Sequence, residues 1–467
     1  MKACLIDFGS TFTKVMIVDL LNAKVVARSK AVSTVNTDVM IGLENALNQL
    51  NLSVNSLSEG KFKYKFACSS AAGGLKMIAI GLVPELTAEA AKRAALGAGA
   101  KVLKVYSYEL TLHELEEIEQ YSPDIILLAG GTDGGDRKTI LHNAKILAKS
   151  KLNVPIIVAG NKEASDEVER ILRAGGKDVR VTENVMPELG ELNIEPAKEV
   201  IREVFMERIV EAKGLGKAKE LVDILMPTPA ATLKAAKLLA EGTEEEEGLG
   251  EILVIEIGGA TTNVYSIAEG KPTQHRTIWK GLKEPYAKRT VEGDLGVRVS
   301  AEALLSAAGR KKVMENFMSE LGKTDVNIDL DKIVKELSKN VGILPSSPVE
   351  YAIDAALAKT AIEIAVERHV GSIREVFSPA GKFFIQIGKD LTEVKYVIGS
   401  GGPIVYSKNP RRILEKALFD ESNPFLLKPR NATLMVDKKY VLWAMGLLST
   451  VTPNVALKII KDSICPV

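Results

Sequence analysis

The alternation of apolar and polar positions predicts a β-rich start to the chain. Residues 2–34 predict three short strands, Lys2–Phe8, Lys14–Leu20 and Lys24–Val32, whose short connections favour an antiparallel meander. A helical period over Asp38–Leu50 and an apolar strand at Lys65–Ser69 follow.

From Thr87 to Val185 strands alternate with helices, which is typical of a mostly parallel sheet covered on both faces. The predicted elements are helix Thr87–Ala98, strand Lys101–Ser107, helix Leu110–Gln120, strand Asp124–Ala129, helix Asp136–Lys149, strand Pro155–Ala159, helix Lys162–Ala174 and strand Val179–Glu183. We expect an inserted β/α segment within about 86–185.

Residues 186–250 predict helices, and Pro196 is suited to open one that runs through Ala212. The acidic run Gly242–Gly248 has no apolar face and predicts a solvated linker. We therefore place a boundary between residues 250 and 251.

A second β-rich stretch follows that boundary. Strands at 251–257, 262–268 and 273–279 are predicted to repeat the opening meander. The remainder predicts mainly helices, including a long one from about Val349 to Val370. A strand at Val394–Ile398 and a glycine-rich turn lead into a helix at Asn409–Leu418.

One hairpin pattern occurs twice, about 250 residues apart: Leu5-Ile6-Asp7-Phe8-Gly9-Ser10-Thr11-Phe12-Thr13-Lys14-Val15 and Val254-Ile255-Glu256-Ile257-Gly258-Gly259-Ala260-Thr261-Thr262-Asn263-Val264. Each copy has a carboxylate at the end of an apolar strand, then small residues and hydroxyls. Glycine lets the backbone approach an anion, and successive N–H groups form an anion-binding concavity. The carboxylate is suited to hold a hydrated Mg²⁺ beside the phosphates. One such turn is an ordinary β-turn pattern, but two in matching register indicate a duplicated fold closing on one nucleotide.

Composition narrows the functional classes. The 467 residues suffice for two to three domains, and a net charge of +1 gives no reason to expect a nucleic-acid partner. Cys4, Cys68 and Cys465 lie far apart, so no zinc site or disulfide framework is predicted and a cytoplasmic protein is expected. No run approaches the roughly 18 apolar residues of a membrane helix, and four histidines disfavour a His-rich metal site.

At these motifs the chain resembles the actin, sugar-kinase and heat-shock-chaperone ATPase superfamily. The matching elements are the first phosphate loop Asp7–Lys14, the second phosphate loop Glu256–Asn263, the adenosine motif Val397–Pro403, a first connecting helix at Pro227–Ala231 and a second at Ala352–Ala365. The resemblance implies an α/β fold of two actin-like, ribonuclease H-like lobes around a nucleotide cleft. Residues 1–250, with the inserted segment, would form the first lobe and residues 251–467 the second.

More closely, the chain resembles the glutamate mutase accessory family often called MutL, over nearly its whole length. Besides the second hairpin, the matching motifs are Ser69–Leu75, Ala129–Gly135 and Arg289–Gly296. The resemblance implies an ATP-dependent factor, a weak ATPase, that reactivates an adenosylcobalamin-dependent mutase or aminomutase by releasing damaged cobalamin. The second hairpin of the superfamily usually has Asp where this chain has Glu256 and Asn263, which alters the Mg²⁺ geometry and leaves hydrolysis open.

The patterns and the resemblance together imply roles for single residues. The candidate catalytic residues are Asp7, Glu256, Asp133, Glu292 and Asp294, of which Asp7 and Glu256 are also the candidate Mg²⁺ ligands. The candidate ATP- or ADP-binding residues are Gly9, Ser10, Thr11, Thr13, Lys14, Gly258, Gly259, Ala260, Thr261, Thr262, Gly399, Ser400, Gly401, Gly402 and Pro403.

Some of these residues have an equally ordinary interpretation. Asp133, with Asp136, follows a strand in a glycine-rich turn, which suits a ligand site at a sheet edge and also a plain Asp-Gly turn. Glu292 and Asp294 could orient water or metal, or form a solvated acidic turn. Lys14 could reach phosphate or extend its head into water.

Two rival functions follow from the same fold. A small-molecule kinase would need a base beside an acceptor pocket, and the sequence shows no unambiguous one. An activator of 2-hydroxyacyl-CoA dehydratases would need paired cysteines for a shared iron–sulfur cluster, and three scattered cysteines argue against it. The oligomeric state, homo-oligomer included, stays open.

Overall fold

The computed structural model describes all residues except 36, 71–74, 99, 210–213, 323–327 and 380. The middle of the motif Ser69–Leu75 and the end of the helix predicted through Ala212 therefore lie outside the described residues. The chain forms two compact units: the first comprises Met1–Ala71, Lys213–Lys280 and Glu284–Val467, and the second comprises Ala72–Ala212 and Gly281–Lys283. The inserted segment predicted within about 86–185 falls inside the second unit.

The strands, in chain order, are β1 (Lys2–Phe8), β2 (Phe12–Asp19), β3 (Lys24–Val32), β4 (Tyr64–Ser69), β5 (Lys76–Gly81), β6 (Lys101–Ser107), β7 (Ile125–Leu128), β8 (Ile156–Val158), β9 (Val179–Val181), β10 (Asp223–Pro227), β11 (Ile252–Ile257), β12 (Thr262–Ile267), β13 (Thr277–Lys280), β14 (Ala287–Glu292), β15 (Ser372–Ser378), β16 (Gly381–Ile387), β17 (Tyr396–Ser400), β18 (Thr433–Asp437) and β19 (Ile464–Pro466).

The α-helices are α1 (Val39–Asn48), α2 (Glu89–Ala98), α3 (Leu112–Tyr121), α4 (Lys138–Leu147), α5 (Lys162–Ala174), α6 (Glu195–Ile209), α7 (Leu215–Leu221), α8 (Thr228–Glu241), α9 (Ala301–Ala308), α10 (Arg310–Leu321), α11 (Leu330–Lys339), α12 (Pro348–His369), α13 (Gly402–Val405), α14 (Pro410–Leu414), α15 (Leu442–Leu448) and α16 (Pro453–Ser463). Among the described residues, no helix combines the length and apolar character needed to cross a bilayer.

The first sheet has the order β10-β4-β1-β2-β3. Strands β1, β2 and β3 form the predicted antiparallel meander, and β4 and β10 are parallel to β1. The purely helical prediction for 186–250 was wrong at β10, because an apolar run as short as residues 224–227 cannot be distinguished from a helix segment by periodicity.

The second sheet has the order β14-β12-β11-β17-β18-β19. Its third antiparallel strand is Ala287–Glu292, so the prediction of 273–279 for that position was wrong. Residues Thr277–Lys280 instead pair with β16 in a separate three-stranded sheet. Both large sheets contain a three-strand antiparallel meander, and in each the first strand of the meander is flanked by two parallel strands: β4 and β10 beside β1, and β17 and β18 beside β11. This repeated topology confirms the predicted α/β fold of two actin-like lobes.

The second unit is a five-stranded parallel sheet of order β6-β5-β7-β8-β9, as the β/α pattern predicts. Strand β6 and helix α5 have the predicted bounds, whereas the sequence prediction missed β5. The helix predicted at Thr87–Ala98 is divided into a π-helical turn, Pro84–Ala88, and α2.

Two helices cross closely within the first unit. Helix α8 packs against α15, and a Cβ added to Gly446 would lie 1.8 Å from the carbonyl oxygen of Ala231. The second connecting helix is therefore α15; the assignment to Ala352–Ala365 was wrong, because those residues belong to α12, which packs against α10. One hydrophobic core joins Leu5, Ala231, Val254 and Trp443, and so takes residues from both large sheets and both crossing helices.

Candidate functional site

A cleft of about 740 Å³ in the first unit is lined by both hairpins. Twelve of the residues predicted from the sequence line it: Asp7, Gly9, Ser10, Thr11, Lys14, Glu256, Gly258, Gly259, Ala260, Thr261, Gly402 and Pro403. The two copies of the pattern therefore contribute to one cavity.

The turns of the two hairpins lie against each other. A Cβ added to Gly259 would lie 2.6 Å from Thr11 Oγ1, and one added to Gly9 would lie 2.5 Å from the carbonyl oxygen of Phe12. Real Cβ contacts are not this short, so a side chain at position 9 would collide with backbone, and one at position 259 would displace the Thr11 hydroxyl. The absent side chains leave backbone groups of both turns open to the cleft.

The first hairpin places an ion pair beside the cleft. Asp7 and Lys14 are cross-strand partners, and Lys14 Nζ donates to Asp7 Oδ2 at 2.7 Å. The Thr228 hydroxyl donates to Asp7 Oδ1 at 2.6 Å, and Lys14 also donates to the Tyr440 hydroxyl at 3.1 Å. Burial lowers the pKa of Lys14, but Asp7, Tyr440 and Glu256 outweigh burial and hold the pKa well above its usual value.

The second hairpin places different chemistry at the same register. Glu256 pairs across the strands with Asn263, and Glu256 Oε2 accepts a hydrogen bond from the Tyr265 hydroxyl at 3.0 Å. Burial raises the pKa of Glu256. Asn263 Oδ1 is buried and has no hydrogen-bond partner among the described residues.

The segment after β14 supports the second turn from behind. Val297 N and Arg298 N donate to the carbonyl oxygens of Gly258 and Gly259, and Ser300 Oγ donates to that of Ala260 at 2.7 Å. This support also involves neighbouring residues: a Cβ on Gly296 would lie 2.3 Å from the Ala260 carbonyl carbon, and Thr262 Oγ1 donates to Leu295 O. The motif Arg289–Gly296 and the residues just after it therefore position the turn.

The chemistry of the cleft fits a nucleotide phosphate chain. Thr11 Oγ1 is buried without a hydrogen-bond partner among the described residues and can donate to a phosphate oxygen. Asn263 Oδ1 can accept from metal-bound water, and the carboxylates of Asp7 and Glu256 are hard oxygen donors of the kind Mg²⁺ prefers. Among the described residues no group of three or more His, Cys, Asp or Glu side chains could hold a metal alone. A Mg²⁺ would therefore depend on phosphate oxygens and water as well.

The adenosine motif is divided between the cleft and the core. Gly401 has a φ of +90°, and a Cβ there would lie 2.1 Å from Ile257 O, which brings Gly402 and Pro403 to the cleft. Gly399 packs inward, since its Cβ would contact Ile404 and Leu414 at 2.8 Å. Ser400 Oγ donates to buried Asp437 at 3.2 Å, and Asp437 also accepts from Val441 N and Leu442 N at the start of α15.

Five other candidate residues do not line the cleft. Thr13 is buried, and a Cβ on Gly42 of α1 would lie 2.9 Å from its hydroxyl. Thr262 bonds to Leu295 O, as described above. Glu292 and Asp294 accept from Arg368 at 2.6 and 3.0 Å.

The fifth, Asp133, lies in the second unit, in the turn that follows β7. It accepts from Lys162 N at 3.0 Å and from Asn184 Nδ2 at 2.9 Å, while nearby Asp136 accepts from Thr139 N. These are bonds that organise a turn. The catalytic roles of Asp133, Glu292 and Asp294 stay predictions.

Two residues that hold the ion pair were missed. Thr228 stands at the start of α8, where a threonine between two prolines in the connecting-helix motif could have suggested it. Tyr440 is 426 positions from Lys14, and no local pattern connects the two.

Comparisons with known proteins give one strong match. The profile of a family described as MutL protein matches residues 3–464. The chain is 51% identical over 458 residues to Protein MutL of Clostridium tetanomorphum, with 98% of each chain covered.

Solved structures give only weak likenesses. One is the activator of 2-hydroxyisocaproyl-CoA dehydratase from Clostridium difficile with bound ADPNP, at 10% identity and a TM-score of 0.33, covering 99% of this chain and 96% of that one. Another is a glycerol dehydratase reactivase, at 11% identity and a TM-score of 0.32, covering 96% of this chain and 99% of that one. At these TM-scores neither likeness bears on function.

Proposed function

We propose that this chain, which belongs to the MutL protein family, is an ATP-dependent accessory factor. Its partner would be an adenosylcobalamin-dependent mutase or aminomutase of the glutamate mutase type. The factor would release damaged cobalamin from the inactivated enzyme. Family membership supports the choice of partner. The observation that carries the nucleotide dependence is the contact of Gly259 with Thr11, which brings two phosphate-binding turns into one cleft.

The residues of the cleft suit phosphate binding and slow hydrolysis. Backbone groups of both turns and the Thr11 hydroxyl would hold the phosphate chain, and the part-buried Lys14 would supply a positive charge beside it. Asn263 Oδ1 would accept a hydrogen bond from water near the chain. When bound, Mg²⁺ would neutralise charge on the phosphate oxygens.

The carboxylates of the cleft favour an accessory factor over a small-molecule kinase. Four carboxylates line it, and each has a partner: Asp7 with Lys14, Glu256 with Tyr265, Glu320 with Lys359 and Asp354 with Arg298. A kinase needs a base that is free to take the proton of an acceptor hydroxyl. The pairing of all four leaves no such free base among the carboxylates of the cleft.

The work on the partner would come from nucleotide-dependent closure of the cleft. A ligand that binds one conformer more tightly shifts the population towards it, and loss of the γ-phosphate would reset the cycle. The free thiols of Cys4, Cys68 and Cys465 suit the cytoplasm, where such mutases would be found.

The test uses the cognate mutase inactivated with hydroxocobalamin. We expect the full chain with ATP and Mg²⁺ to release cobalamin, followed by absorbance, and to restore activity once adenosylcobalamin is supplied. A non-hydrolysable ATP analogue should bind but not sustain repeated rescue. Release that is equally fast without nucleotide would contradict the proposal. ATP consumption that requires a small-molecule alcohol or carboxylate would support the kinase instead.

A further inference from the structure

The small sheet β13-β16-β15 has one face without a partner. Its register places eight described residues on that face: Ser372, Arg374 and Val376 of β15, Phe383, Ile385 and Ile387 of β16, and Ile278 and Lys280 of β13. None of the eight is buried, and Ile278 and Ile387 are 57% and 48% exposed. On the opposite face Gln386 is fully buried and donates to Gly270 O, whereas Glu375 and Phe377 of that face are exposed, so the sheet packs on the rest of the unit at Gln386 but not along the outer half of β15.

One edge of this sheet is open along most of its length. Strand β15 is terminal in the sheet, and only its start is covered, where Ile373 N donates to Phe425 O at 2.9 Å. From Arg374 onward β15 pairs with β16 alone among the described strands. Phe377 and Phe425, beside this edge, are 76% and 54% exposed. Edges that combine unpaired backbone with exposed apolar side chains are templates for a further strand.

The charges of this surface have one sign. The outward face carries Lys280 and Arg374 and no carboxylate among its eight described residues, and neither cation forms an ion pair with a described residue. On the other side of the strand Glu375 is neutralised by Lys382 at 2.6 Å. The edge therefore complements an apolar segment that carries carboxylates.

We propose that the β15 edge from Arg374 to Phe377 binds an extended segment of the partner enzyme, which adds to the sheet as a strand. The segment places a carboxylate beside Arg374 and apolar side chains over Val376 and Phe377. Main-chain hydrogen bonds supply affinity in this mode, and alternate side chains supply specificity. The proposal rests on the proposed function, because the partner enzyme is the mutase that the chain reactivates.

The experiment measures binding of the full chain to the cognate mutase holoenzyme by biolayer interferometry with ATP and Mg²⁺. We expect Arg374→Glu and Phe377→Ser each to weaken binding at least tenfold and to slow rescue to match. Arg374→Lys, which keeps the charge, should stay within threefold of wild type. The matched control is Leu21→Ser, which removes an apolar side chain that is 75% exposed and distant in sequence from the small sheet, and it should change nothing.

The outcomes separate the two proposals. Nucleotide affinity should equal wild type in every variant, because none of these positions lines the cleft; this also verifies folding. If Arg374→Glu and Phe377→Ser rescue the mutase as well as wild type does, the docking site is overturned and the proposed function still stands. No rescue by wild type overturns both. Sedimentation of the chain without mutase tests for a second copy as the occupant. A wild-type dimer that the Phe377→Ser substitution dissociates would overturn the assignment to the mutase.

Discussion

The two hairpins share a geometry but differ in their chemistry. At matching register the first has buried Asp7 opposite part-buried Lys14, an ion pair. The second has Glu256 opposite Asn263, a carboxyl of raised pKa opposite an amide oxygen with no partner among the described residues. The first hairpin therefore supplies a fixed charge, and the second supplies groups that can change their hydrogen bonds. Repetition of a backbone pattern preserves the position of a phosphate-binding turn without preserving the side chains around it.

The support behind the turns differs in the same way. Ser33 alone bonds to the first turn at two points, through its N–H to Thr11 O at 2.9 Å and its hydroxyl to Gly9 O at 2.7 Å. The second turn is supported by three donors after β14, from Val297, Arg298 and Ser300. We therefore expect the first hairpin to depend on its ion pair and the second on its backing segment.

The largest expected effect comes from breaking the ion pair. Asp7→Asn leaves the Lys14 ammonium without its counter-ion. Removal of one partner of a fully buried pair costs about 3–5 kcal/mol, and because Lys14 is 19% exposed we expect a loss at the lower end of that range. Denaturant unfolding should show that loss, with nucleotide binding also lost. The double variant Asp7→Asn/Lys14→Met should recover at least half of the stability, and Glu256→Gln, the matched change in the second hairpin, should cost less. Equal losses in Asp7→Asn and Glu256→Gln would contradict the comparison.

A smaller effect should follow from separating the turns. Gly259→Ala introduces a Cβ that would lie 2.6 Å from Thr11 Oγ1 and 3.2 Å from Arg298 Cβ, so the Thr11 side chain must rotate or the turns must move apart. Overpacking of this kind costs about 1–3 kcal/mol, and adenine-nucleotide affinity measured by calorimetry should fall roughly tenfold, or about 1.4 kcal/mol. The control is Gly281→Ala, where nothing lies within 4 Å of an added Cβ. Unchanged affinity in Gly259→Ala would show that the turns do not need their contact.

The smallest effect distinguishes the hairpins by pH. The pKa of Glu256 is raised by burial above its usual 4.5, so its contribution to stability is present below pH 4.5 and is lost as pH rises through the folded pKa. The pKa of Lys14 is also raised, above its usual 10.5, so the contribution of Lys14 to stability is lost only as pH rises past that value. Relative to Glu256→Gln, the unfolding free energy of wild type should therefore fall above pH 4.5, by at most about 1.4 kcal/mol per pH unit. A flat difference between the two proteins would contradict this assignment.

The sequence predicted well those strands, helices and turns whose form depends on neighbouring residues in the chain. The predicted bounds of β1, β3 and α5 match the structure: β1 carries a short apolar run, and α5 repeats buried residues at helical spacing, at Ala164, Val168 and Leu172. The glycine-rich turns are recognisable because few residues accept their backbone. The hairpin of β15 and β16 was missed within a stretch predicted mainly helical, because its residues do not alternate between buried and exposed positions. An alternating pattern needs one buried face.

The site shows the same limit. The residues of the two turns were identified from their own sequences, but Tyr440 and Thr228 reach the Asp7–Lys14 pair only through the crossing of α8 and α15. The alanine-rich stretch of α12 seemed suited to that crossing by composition. The close approach in fact involves one glycine, Gly446, in a helix of mostly large apolar residues.

The shared core has a consequence for synthesis on the ribosome. Leu5 of β1 packs in one cluster with Trp443 of α15, so the first sheet lacks part of its core until residues beyond 440 have been made. At about 5–20 residues per second, the early strands wait tens of seconds with apolar surface uncovered. Nascent chains halted before α15 should therefore bind chaperones and resist purification as a separate lobe.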